Sequence, residues 1–148
     1  MEDFEAFARL LTALRPWLGQ LVVVGGWAHR LHRFHSLATP PSHLPLLTRD
    51  ADLAFSPNEA LVGDVRKALT DAGFAEDFFG EGSPPATHYR LGDEDEGFYA
   101  EFLTPLTGSE IKRGKRDATT SRAGITAQKL RYLDVLLIEP WSVRVGPE

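Results

Sequence analysis

Thr48-Arg49-Asp50-Ala51-Asp52-Leu53-Ala54-Phe55 is the stretch whose reading decides the fold. Two aspartates flank one small residue, and an apolar run follows. In a strand, residues i and i+2 point to the same side. Both carboxylates then enter one space, with their Cα atoms roughly 6–7 Å apart at the usual rise per residue. Ala51, Leu53 and Phe55 take the opposite face and look into a core. Like charges side by side repel unless a cation lies between them. A hard, oxygen-seeking ion such as magnesium, or manganese in its place, suits that pair. A solvated strand end with two surface aspartates would be written with the same letters.

The expected element before this strand is a short β-branched run, Leu21-Val22-Val23-Val24, which stops at Gly25-Gly26. It reads as a buried strand and a tight turn into a helix spanning Trp27 to about Phe34. Leu31 and Phe34 form that helix's apolar side, and His29, Arg30, His32, Arg33 and His35 its polar side. Glycines at a strand-to-helix turn let backbone N–H groups approach a phosphate, although turn geometry alone also calls for glycine. Residues 36–47, with Pro40, Pro41 and Pro45, read as a loop.

The remaining periodicities extend the plan in both directions. Residues 3–18 predict an amphipathic helix carrying Phe4, Phe7, Ala8, Leu11 and Leu14, ended by Pro16 and Gly19. Residues 58–72 predict a second helix, entered at Ser56-Pro57-Asn58-Glu59 and stopped by Gly73. Phe74 to Phe79 extend, Thr87–Leu91 and Phe98–Leu103 are strands, and the acidic run Gly92–Gly97 is a hairpin tip. Thr104-Pro105 ends the last of these. Residues 108–122 read as a mobile loop, Ile125–Leu137 as helix or mixed helix and strand, and Trp141–Val145 as a final strand. Trp27, Trp141 and most phenylalanines are expected in the core. The sum is one α+β domain over residues 1–148, a mixed β-sheet with helices packed on it.

A third acid stands out. Glu101 lies between Ala100 and Phe102, where an unpaired carboxylate is expensive to bury. If its strand lies beside the Asp50–Asp52 strand, three carboxylates converge. Such a group can hold two divalent ions about 3.5–4 Å apart, a recurrent device for phosphoryl and nucleotidyl transfer. A strand-end glutamate facing solvent is the plainer alternative.

The order of strand, Gly-Gly, helix, Thr-x-Asp-x-Asp strand and a later acidic strand resembles the nucleotidyltransferase superfamily, with its polymerase-beta-like fold. Bacterial minimal and AbiEii-type toxin nucleotidyltransferases are the most similar groups. The match runs through Val22–Ala28, Thr48–Phe55 and Tyr99–Leu103, roughly the first two-thirds of the chain. The resemblance implies Asp50, Asp52 and Glu101 as catalytic metal ligands for Mg2+ or Mn2+. It implies Gly25 and Gly26 as the triphosphate-holding turn, and Thr48 as the residue that shapes the strand entry. It further implies an NTP as donor and a hydroxyl on RNA, protein or a small molecule as acceptor. Trp27 departs from the pattern, standing where many members carry serine. A catalytically inactive relative that binds a nucleotide or a partner protein, for example as half of a toxin–antitoxin pair with an antitoxin protein, is the alternative function.

Composition narrows the rest. The net charge of -5 supplies no global basic field for nucleic acid or membrane. Lys112-Arg113-Gly114-Lys115-Arg116, with Arg122 beyond, is the one concentrated basic run. It suits phosphate contacts or a solvated loop equally. The absence of cysteine excludes disulfides and thiolate chemistry and suits a reducing cytoplasm, the expected location. The acidic start of the chain has no signal-peptide layout, and no apolar run reaches the length of a membrane span. His29, His32 and His35 recur every three residues and read as a polar helix face. Lys129 reads as a surface lysine on a late helix that could reach a phosphate.

Overall fold

The computed structural model describes residues 3–45 and 48–145. Helix α1 spans Asp3–Ala13, and a 3-10 turn at Arg15–Trp17 carries the chain past Pro16. Strand β1 (Val22–Val24) runs directly into α2 (Gly25–Leu31), so the two glycines form the first helical residues. Strand β2 (Asp50–Ala54) follows the proline-rich segment, whose last residues, 46 and 47, lie outside the described ones. Next come α3 (Val65–Asp71), β3 (Ala75–Phe79), β4 (Ala86–Leu91) and β5 (Phe98–Pro105). The short strands β6 (Ile111–Lys112) and β7 (Lys115–Arg116) pair with each other. Strands β8 (Thr119–Arg122) and β9 (Ile125–Leu130) and a 3-10 turn at Leu133–Leu137 complete the order.

One mixed sheet runs β1-β2-β5-β4-β3, with β9 also beside β5 and β8 outside β9. β2 and β5 are parallel, as are β5 and β9, while the other pairs in this sheet are antiparallel. The expected α+β fold, a mixed sheet with helices on it, is what forms. The main core lies on one face. Ala51, Leu53 and Phe55 of the β2 region meet Ala100 and Phe102 of β5, Tyr89 of β4, and Phe7, Leu10 and Leu14 of α1. Trp27 is the centrepiece. Its indole stacks on Phe7 with centroids 4.0 Å apart and meets Phe98 edge-on. Burying so large a ring is worth a few kcal/mol, which explains a tryptophan after the glycines. A second, smaller core covers one end of the opposite face, where Val24, Ala54, Leu103 and Leu133 pack.

Several expected boundaries shift for identifiable reasons. The first helix ends at Ala13, and its buried stripe is Ala6, Phe7, Leu10 and Leu14; Phe4 and Ala8 are exposed. The second helix begins at Val65 instead of 58. Gly63 has φ +103°, outside helical space, and residues 59–62 are pinned as a loop by remote side chains. Gln20 Nε2 donates to Glu59 Oε2 (2.8 Å) and to the Ala60 carbonyl (3.1 Å), and Trp17 Nε1 donates to the Val62 carbonyl (2.8 Å). Thr104 and Pro105 extend β5 because β9 arrives to pair with its end. The region 108–122 contains strands, not only loop. Residues 125–130 form a strand, so Lys129 is not helical. Residues 141–145 take no strand pairing. Trp141, Phe34 and Phe78 are exposed rather than core residues. Among the described residues, no helix is long and apolar enough to cross a membrane.

Candidate active site

The alternation of β2 places Ala51 and Leu53 in the main core and Asp50 and Asp52 on the opposite face. On β5 the same alternation sends Ala100 and Phe102 to the core and Tyr99 and Glu101 outward. Parallel pairing aligns Asp52 with Glu101 and Asp50 with Tyr99 as direct neighbours. One sheet face therefore carries all three carboxylates. The row continues, since His88 of β4 pairs with Glu101 and Asp77 of β3 pairs with His88. The 3-10 turn after β9 covers only the far end of this face, so the acidic end stays open and half-buried.

The glycine turn closes over the same residues. Gly25 has φ +67°, the left-handed region, and a Cβ added there would collide with Asp52 Oδ2. A Cβ on Gly26 would strike the Thr48 hydroxyl and lie 2.6 Å from its Cγ2. Both glycines are thus required by close approach: Gly25 to Asp52, and Gly26 to Thr48. The six residues singled out in the sequence occupy one neighbourhood.

The electrostatics fit crowded like charges. Asp52's carboxyl is pushed up to about 6, first by burial, then by Glu101 and Asp50, with His88 opposing. Tyr99's hydroxyl is raised by burial and by the same three acids. Glu101 Oε1 lies 2.6 Å from His88 Nε2. Among the described residues, no three His, Asp or Glu side chains stand together as a preformed metal cage. The donor chemistry nevertheless suits a hard cation, with oxygen ligands on adjoining strands and Asp52 held against its ionised form until positive charge arrives.

Sequence reasoning missed His88, and its partner Phe79, because their connection to Glu101 runs across strands. The signal available was a histidine inside an apolar alternation, Thr87-His88-Tyr89. Other candidates lie apart from the acids. Lys129 Nζ is held by Asp117 Oδ1 at 2.7 Å, with Lys112 3.4 Å from Oδ2, and the two lysines hold Asp117's carboxyl below its usual range. His29 neighbours His32 and His43, and His35 stacks on Trp141. A cavity of about 1010 Å3 runs along the outer edge of β1 beneath residues 136–145. Its lining includes Gly25 but none of the three carboxylates. The acidic face, where titratable groups converge, is therefore the better candidate for chemistry.

The domain is α+β, with Asp50, Asp52 and Glu101 on one face of neighbouring parallel strands, beside a glycine turn. The chain is a member of a nucleotidyltransferase family, since residues 2–148 match the family model described as Nucleotidyltransferase. No curated protein and no solved structure matches it.

Proposed function

We propose that the protein is a metal-dependent nucleotidyltransferase, moving a nucleotidyl group from an NTP to an acceptor hydroxyl on RNA, protein or a small molecule. The observation that carries this reading is the register pairing of Asp52 with Glu101, on the face shared with Asp50 and beside Gly25. Asp50, Asp52 and Glu101 would hold Mg2+ or Mn2+. When bound, such an ion neutralises phosphate charge and lowers the pKa of the attacking hydroxyl. The glycine turn brings bare backbone next to Asp52, so its N–H groups would lie near a triphosphate held by the acids. The acceptor hydroxyl releases its proton to solvent, its oxygen forms the new bond to the α-phosphorus, and pyrophosphate leaves with the electron pair of the broken P–O bond. Labelled NTP incubated with Mg2+ and an acceptor mixture should yield labelled acceptor and pyrophosphate. Asp50→Asn and Asp52→Asn should reduce the yield at least about a thousandfold. Full activity in the double variant would refute the reading.

A non-catalytic scaffold that binds nucleotide is the second reading, favoured by Glu101 leaning on His88 rather than on the aspartates. Nucleotide binding without pyrophosphate release would select it. AbiEii-type kinship and an antitoxin partner rest on motif order alone. Growth arrest on expression, relieved by a co-expressed partner, is their check.

A further inference from the structure

His88 lies on the opposite side of Glu101 from Asp52. Its imidazole stacks on Phe79 with ring centroids 3.5 Å apart, and tilts against Tyr99 at 5.1 Å. These aromatic neighbours restrict the ring. Nε2 is shut off from solvent, and its 2.6 Å approach to Glu101 Oε1 is off the axis of a well-formed hydrogen bond; no other polar atom partners it. A buried ring nitrogen is costly unless it is paired, and Glu101 is the partner within reach. Glu101 thus stands between a like charge on one side and an imidazole on the other. A free glutamate so placed would sample several orientations, because its rotatable bonds cost little to turn.

We propose that His88 is the positioning residue for Glu101. The stacked imidazole fixes one carboxylate oxygen on the β4 side of Glu101, which limits the carboxylate's rotation and leaves its second oxygen for a divalent cation. This rests on the metal-dependent reading above. Hydrogen-bond partners of metal ligands are typically worth 10–100-fold in metal affinity.

Mn2+ binding to the whole protein, followed by electron paramagnetic resonance without nucleotide, tests the assignment. His88→Phe keeps a ring to stack on Phe79 but has no nitrogen. His88→Gln gives up the ring but reaches Glu101 with an amide nitrogen. The expected result is Mn2+ binding weakened roughly tenfold or more in His88→Phe, and within about threefold of the parent in His88→Gln. Thermal melts establish that each variant is folded. Should His88→Phe fail to fold, His88→Asn, whose amide is too short to reach, replaces it and should lose as much. Unchanged or tighter binding in His88→Phe, while Asp52→Asn loses it, overturns the role of His88 and leaves the metal reading standing. Equal loss in His88→Gln also overturns it, because ring packing alone would then be responsible. A parent protein that holds no Mn2+ defeats both.

Discussion

A carboxyl group titrating near 6 is only partly protonated at neutral pH, and Asp52 is such a group. Its folded value lies above the ordinary 3.8, so its contribution to stability is fully present below pH 3.8 and is lost as pH rises through 6. The raw shift corresponds to about 3 kcal/mol, and solvent reaching this half-buried site reduces it to on the order of 1–2 kcal/mol. Asp52→Asn removes the term. Urea denaturation should therefore find the variant more stable than the parent by about 1–2 kcal/mol at pH 8 and equal to it near pH 3.5. The neighbouring glycines behave oppositely. Gly26→Ala should destabilise by about 2 kcal/mol, through collision with Thr48. Adding Thr48→Ala should return part of that loss, a coupling that a double-mutant cycle measures. Additive effects would show that the two residues do not touch. These residues were legible in the sequence because their motif is local. The reason for Gly26 was not, since Thr48 approaches it only after folding.

At the scale of elements, legibility follows whether a boundary is set locally or remotely. The β2 and β5 strands could be read from alternation, and their carboxylates from that alternation alone. Helix α3 shows the contrary case. Its pattern continues back to residue 58, yet Gln20 and Trp17 hold residues 59–62 as a loop. Helix formation waits for Asp64, whose Oδ1 accepts from Lys67 N at 2.8 Å. Asp64→Ala should cost about 1 kcal/mol, read as a lower midpoint in urea. No loss would mean that the cap adds nothing to the packing of Val65 and Leu69. β9 was similarly ambiguous, because its apolar members suit either period and only pairing with β5 and β8 decides.

At the scale of the whole molecule, the sheet order was not readable. Nothing in the letters says that β5 inserts between β2 and β4, although the expected convergence of Glu101 on the aspartates requires β5 beside β2. The prediction at this scale is linkage. An ion that binds only the folded chain stabilises it by about 2.7 kcal/mol when present at a hundred times its dissociation constant. Mg2+ should therefore raise the melting temperature of the parent and leave the Asp50→Asn/Asp52→Asn variant unmoved. An equal rise in both would place the ion elsewhere.

The parallel contact of β2 with β5 has one more consequence. The aspartates and the glutamate belong to separate lengths of chain, joined through the acidic turn at residues 92–97. A protein severed in that turn yields an N-terminal piece with Asp50 and Asp52 and a C-terminal piece with Glu101. Neither half should work by itself, and mixing them should restore function only as far as the broken β4–β5 hairpin re-zips. The acid cluster could then serve as a reporter of fragment complementation.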